Sequence, residues 1–188
     1  NVFSLFGLRP GETYGVTLCV GSDACTVEIT TKGERCAISV KDFGAKGDGV
    51  TVDTTAIQTA ILALPEKGRL VFPAGTYRTG PILLKSHMTL ELTEGATLLG
   101  LTDKADYPVL PAVARDLNGG PGVHLGGFEG LPRDMYAALI TAEYATDITI
   151  VGPGCVDGNA QNGTWWQTFE SDPVARPRLM FLNRCDNV

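Results

Sequence analysis

HMTLELTEGATLLG, residues 87–100, and DITIVGPGCVDG, residues 147–158, read as one unit written twice. Each opens on an alternating strand, breaks at a glycine turn, resumes as a second short strand and closes on Gly100 or Gly158. RCDNV, residues 184–188, starts the unit again, with Asp186-Asn187-Val188 in the places of Thr146-Asp147-Ile148. A strand-turn-strand unit recurring with connections of unequal length buries its apolar faces only by stacking on its neighbours, which is the mark of a solenoid. Strands this short predict a parallel β-helix.

Upstream of the repeats, VKDFGAKGDGVTVDTTAIQTAILALPEKG carries turn chemistry at Phe43-Gly44 and Gly47-Asp48-Gly49, with Asp42 and Asp48 as turn residues. Asp53 then stands as an N-cap before a helix over residues 54–64, whose Ile57, Ala60, Ile61 and Leu64 form one stripe and which Pro65 ends. Short strands follow at RLVF, YRTG with PILL, MTLEL and ATLLG. The amphipathic helix is expected to cap the open end of the solenoid, covering a sheet edge.

Residues 1–34 read as a separate unit: FSLFGL, RPGETYGVTLCV, a GSDA turn and CTVEITTK, three short strands too few to bury both faces of a sheet. The spacing from Leu8-Arg9-Pro10 to Tyr14 resembles the tyrosine corner of a fibronectin type III or immunoglobulin-like β-sandwich, in which the Tyr hydroxyl bonds backbone a few residues upstream. An independent hairpin cap is the alternative. Tyr14, Val16, Leu18 and Val20 share a face that sets Cys19 outward, whereas Cys25 alternates with Val27 and Ile29, an argument against a Cys19–Cys25 bridge. Five cysteines, none in a CxxC unit, make a zinc site unexpected and leave the redox compartment open.

The 188 residues are 44% hydrophobic, enough for a sizeable core, and 23 Gly with 11 Pro favour strands and turns over long helices. A formal charge of −6 without a basic block argues against nonspecific attraction to nucleic acid or anionic membranes. No apolar run approaches the roughly 20 residues that span a bilayer. The start at Asn1 rather than Met, without a signal-peptide pattern, leads us to expect an upstream piece. Residues 101–135, rich in Gly and Pro, show no clear period and read as a loop inserted between coils.

VKDFGAKGDGVTVDTTAIQTAI, FPAGTY, GPILLKS, LELTEGATLLG, ITIVGPGCVDGN, Trp165-Trp166 and ARPRLMFLNRCDNV, taken in this order over residues 38–188, resemble the N-terminal part of glycoside hydrolase family 28, the polygalacturonases. Gly-x-Val-Asp-Gly followed by the Trp pair and Arg176-Pro177 is the specific part; the first two motifs also open other pectate-lyase-like proteins. The resemblance implies an all-β chain: the end of a fibronectin type III-like β-sandwich at 1–34, then at 35–188 a capping helix and the first coils of a right-handed parallel β-helix. It also implies inverting acid/base hydrolysis of α-1,4-galacturonosyl links in polygalacturonate or a related pectic oligosaccharide. A sandwich before the helix favours exo over endo action, with the 101–135 loop as a cleft wall. A secreted or periplasmic, monomeric parent without cofactor, nucleic-acid partner or membrane anchor is implied as well.

The family's acids come from Asn-Thr-Asp and Gly-Asp-Asp motifs, assisted by Gly-His-Gly and Arg-Ile-Lys; none of the four occurs in these residues, so no catalytic residue is assigned and the chain alone is expected to be inactive. Substrate-binding candidates are His124 and Arg133 in the inserted loop, where cations meet galacturonate carboxylates, and Trp166. Arg115 and Arg176 are weaker candidates, and ordinary solvated loop charges are the competing reading. Neighbouring side chains on an extended segment point opposite ways, so at most one of Trp165 and Trp166 can line a cleft while the other packs, and packing of both on the coil is the competing reading. Asp157 reads as a turn former, and His87 as a surface or turn residue before a strand. Asn162-Gly163-Thr164 is a glycosylation sequon, and Gly152-Pro153-Gly154 lacks the helix a phosphate loop needs. Rival readings are a calcium-dependent pectate-lyase-like eliminase and a non-enzymatic carbohydrate-binding β-helix or adhesin.

Overall fold

In the computed structural model, which describes residues 5–115, 120, 122–166 and 173–188, the strand pairing follows the repeat. The strands are β1 (Thr13–Val20), β2 (Asp23–Thr30), β3 (Cys36–Ser39), β4 (Asp48–Val52), β5 (Gly68–Phe72), β6 (Gly75–Thr79), β7 (Ile82–Leu83), β8 (Met88–Leu92) and β9 (Ala96–Gly100). There follow β10 (Val109–Leu110), β11 (Gly127–Phe128), β12 (Leu131–Pro132), β13 (Met135–Tyr136), β14 (Ile140–Glu143), β15 (Ile148–Val151), β16 (Cys155–Asp157) and β17 (Met180–Asn183). Helix α1 (Thr54–Ala63) lies between β4 and β5.

Three parallel sheets form the sides of the solenoid: β3-β5-β8-β15, β4-β6-β9-β16 and β7-β14-β17. One strand from each sheet makes a coil, and the two repeated segments stack in register, with Met88 beside Ile148, Leu90 beside Ile150 and Leu98 beside Val156. The restart at residue 184 is also in phase, since Thr146 bridges Asp186. Like residues therefore pile up inside. Leu70 lies on Leu90 and Ile82 on Ile140, all fully buried. In the fourth coil the inward Met180 and Leu182 remain 37% and 40% exposed.

Helix α1 takes the place of the third strand in the first coil. Ile57, Ala60, Ile61 and Leu64 are all buried, as their spacing predicts. Its Gln58 both donates to and accepts from the backbone of Leu83, at 3.0 and 2.8 Å, so a side chain satisfies the edge of β7 that a strand would otherwise cover. Lys85 Nζ binds the carbonyls of Leu62 and Leu64 at the other end of the helix. Leu64 turns extended before Pro65, because the proline ring disfavours a helical residue ahead of it. The predicted cap role of Asp53 needs correcting: it precedes the helix, but its carboxylate makes no cap bond. It is buried and accepts from the amides of Lys46 at 2.7 Å and Gly47 at 2.9 Å, a turn whose donors would otherwise have no partner. Asp48 does act as a turn former: it accepts from the amides of Val50 and Thr51 and from the Thr51 hydroxyl, and these bonds lower its pKa to about 2.

Among the described residues the N-terminal unit has two strands rather than three. β1 and β2 form an antiparallel hairpin, while residues 5–8 pair with neither and residues 1–4 lie outside the described set. Hydrogen bonds from Gly11 to Lys32 and from Thr31 to Glu12 close the hairpin mouth, and Pro10 has no amide with which to extend β1 backwards. Register places Tyr14 opposite Ile29, Val16 opposite Val27 and Leu18 opposite Cys25 on one face. Thr13–Thr30 and Thr17–Thr26 hydroxyl pairs, each at 2.8 Å, lie on the other. Cys19 pairs with Ala24, so Cys19 and Cys25 sit on opposite faces and both are free. The Arg9 amide donates to the Tyr14 hydroxyl at 2.7 Å, the upstream bond expected of that tyrosine.

Candidate functional site

Between β9 and β14 the chain leaves the solenoid and builds a wall beside the third sheet. The wall starts on an aromatic base. Trp165 is buried, with Tyr107 edge-on at 4.9 Å and Tyr136 at 5.5 Å, and the Tyr107 hydroxyl donates to the Leu101 carbonyl at 2.9 Å. β10 pairs with β13, β11 with β12, and Asp134 accepts from the Ala112 amide, so the predicted loop carries short strands of its own. Burial, with the Asp106 charge second, pushes the Tyr107 phenol up to about 12.

The sign of the linkage follows. An unfolded tyrosine ionises near pH 10, whereas the folded one holds its proton to about 12, so Tyr107 stabilises the fold fully below pH 10 and loses that contribution as pH rises to about 12. In an alkaline titration, unfolding and tyrosinate absorbance should therefore rise together across that window, and Tyr107→Phe should uncouple them.

The tip of the wall is tied to the outward face of the third sheet. Asn183 and Glu143 are register partners on β17 and β14. The Asn183 amide donates to Glu143 at 3.1 Å and to the His124 carbonyl at 3.0 Å. Arg178 donates to the Gly127 carbonyl at 2.7 Å, and Arg133 to the Pro173 carbonyl at 3.2 Å. The backbone of the wall is thus held by Asn183 of β17 and by Arg178 ahead of it, while Arg133 reaches back from the wall, and the His124 imidazole is left exposed.

His124 and Arg133 both lie on this wall, Arg133 half-buried with its Nε engaged. Trp166 is 67% exposed, and the Arg176 guanidinium stacks on one ring face at 4.7 Å. Trp165 is buried and Trp166 exposed, but the pair lies in a turn rather than on the extended segment the sequence reading assumed, so strand alternation is not the cause. Arg115 is exposed. Asp157 is a turn former, accepting from the Asn159 amide at 2.7 Å. His87 precedes β8 in a left-handed turn and bonds Asp147 at 3.0 Å.

Sequence reasoning did not single out Glu143, Asn183 or Arg178. The signal was present: the step from Asp147 to Asn187, extended backwards, pairs Glu143 with Asn183 at the same interval of 40 residues. Among the described residues no three His, Cys, Asp or Glu side chains gather as metal ligands would.

Residues 37–114 match the family model described as rhamnogalacturonase A/epimerase, pectate lyase-like, and the stacked parallel sheets are those of a β-helix fold. The chain is similar to exopolygalacturonases. It is 37% identical to an exo-poly-α-D-galacturonosidase of Dickeya chrysanthemi across 81% of this chain and 26% of that protein. A probable polygalacturonase of Vitis vinifera is 36% identical across 77% of this chain and 29% of its own length. The family 28 exopolygalacturonase of Yersinia enterocolitica superposes with a TM-score of 0.60 at 33% identity, over 81% of this chain and 27% of that one. The chain therefore spans about a quarter of the length of these relatives.

Proposed function

We propose that this chain forms part of a pectin-degrading glycoside hydrolase that cleaves α-1,4-galacturonosyl links by inversion, with the 101–135 loop closing one end of the substrate cleft so that action is from a chain end. The observation that carries this reading is the 37% identity to an exo-poly-α-D-galacturonosidase over 81% of the chain, an extent that one shared turn motif does not produce. In this reading the third sheet's outward face is the floor, and His124, Arg133 and Trp166 meet the substrate. Cations suit galacturonate carboxylates, and the free face of Trp166 suits the apolar side of a sugar ring. The acid and base belong to motifs outside these 188 residues. The parent is secreted or periplasmic and monomeric, its β-helix right-handed. Residues 1–34 close a fibronectin type III-like sandwich, a reading the Arg9–Tyr14 bond supports.

Trigalacturonate binding by the purified chain tests this. Trp166→Ala should weaken it about tenfold, the equivalent of roughly 1.4 kcal/mol of lost stacking, and neither protein should release galacturonate from pectate. Unchanged affinity in the variant would remove Trp166 from the site. Release by the chain alone would show that the acids lie within it.

A further inference from the structure

Where the tip of the wall meets the outward face of the third sheet, two neighbouring side chains keep hydrogen-bonding capacity that the fold does not use. Ile140 and Ala142 turn inward from β14 and are buried, so Glu143 between coils points outward and is exposed, and its register partner Asn183 on β17 points the same way. The Asn183 Nδ2 has two hydrogens and spends both, one on Glu143 Oε1 at 3.1 Å and one on the His124 carbonyl at 3.0 Å. Both partners only accept, which fixes the orientation of the amide. Its Oδ1 and the Glu143 Oε2 are then left as two adjacent acceptors without a partner among the described residues.

No cation neutralises this pair. Among the described residues Glu143 has no ion pair, and Lys85, which follows β7, gives its ammonium to the carbonyls of Leu62 and Leu64. A bare carboxylate is the wrong group to set against the carboxylates of a uronate chain, because like charges repel. It suits hydroxyl hydrogens instead. Along a polysaccharide only a terminal unit keeps a hydroxyl where each internal unit has a glycosidic oxygen, and that oxygen has no hydrogen to give. An acceptor at the foot of a wall therefore separates chain ends from chain interiors, since a group placed to receive a hydroxyl is left unpaired by a ligand that lacks it.

We infer that Glu143 is a specificity determinant for a chain end, its Oε2 accepting the hydrogen of the terminal unit's free hydroxyl. Asn183 is a positioning residue, whose one amide fixes both the carboxylate and the wall that ends the cleft. The inference rests on the function proposed above and names the group that reads the end of the chain.

Titration calorimetry on the whole chain tests it with trigalacturonate, its 4,5-unsaturated counterpart, which lacks the 4-hydroxyl at one end, and its methyl glycoside, which lacks the free 1-hydroxyl at the other. The parent should bind trigalacturonate about tenfold more tightly than one of the two blocked trimers, and which one identifies the end. Glu143→Gln keeps an oxygen for Asn183 but puts a donor in place of the free acceptor, so it should abolish that preference, which a merely structural glutamate would not do. Trp166→Ala should weaken all three trimers and preserve the preference. If the parent ranks the three equally while Trp166→Ala still weakens them, Glu143 reads no chain end and the proposed function stands. A preference that survives Glu143→Gln also overturns the inference, as does a Gln variant that binds all three more tightly by one factor, the mark of a charge that only repels. If none of the trimers binds, the proposed function falls and this inference with it.

Discussion

Gly152→Ala should detach the fourth coil while leaving the first three folded. Gly152 turns the chain between β15 and β16 at φ 110°, and a Cβ there would lie 2.0 Å from the Leu92 carbonyl oxygen and 2.8 Å from its carbon. The obstacle is backbone, and the Leu92 carbonyl is itself held by the Gly154 amide at 3.0 Å, so neither side can yield without parting the coils. Strain of about 1–3 kcal/mol from the backbone angle adds to the clash, for a total of roughly 3 kcal/mol or more. Because a solenoid coil touches only its neighbours, the loss stays local. Amide exchange in β15 and β16 should accelerate strongly while β5, β6, β8 and β9 stay protected. Gly44→Ala is the control: its φ is 94° but nothing lies within 4 Å, so it should cost only the angular strain. Equal urea midpoints for the two variants would refute the close-approach argument.

The residues that announce the fold are those that act through periodicity. Met88, Leu90 and Leu98 recur as Ile148, Ile150 and Val156, and the structure stacks these pairs. Helix α1 was legible for the same reason, its stripe being spaced at 3.6 residues. What sequence did not show is how polar groups find partners far along the chain. Gln58 binding Leu83, and Asn183 holding both Glu143 and His124, depend on which coil faces which, and no local pattern encodes that. The candidate site shows the same division. That one Trp of the pair is buried and the other exposed was expected on an extended segment, yet both lie in a turn, and the seating of Trp165 against Tyr107 and Tyr136 brings together segments that only the folded wall makes adjacent.

Asp53 is where local reading and tertiary demand diverge, and it is where a conservative change should do most harm. An aspartate ahead of a helix ordinarily caps it, worth about 1 kcal/mol. Here the carboxylate faces inward and is the acceptor for two amides, Lys46 and Gly47, with charge-assisted bonds worth about 1.5–3 kcal/mol each. The turn it fixes packs against the Tyr77 ring, which leaves no room for a Cβ at Gly47. Asp53 also gives its own amide to the Arg78 carbonyl at 2.8 Å, joining the first coil to the second. Asp53→Ala should therefore cost about 3–5 kcal/mol, since both amides lose their acceptor in a buried site, and Asp53→Asn about half, since one oxygen remains. Asp48→Asn, in an exposed turn a few residues earlier, should be far milder. A separate optical sign is available in Tyr77, whose phenol is raised first by burial and then by the Asp53 charge. Removing that charge in Asp53→Asn should move the Tyr77 titration towards its ordinary value. If Asp53→Ala unfolds within about 1 kcal/mol of the parent, the residue is the ordinary cap its position suggests.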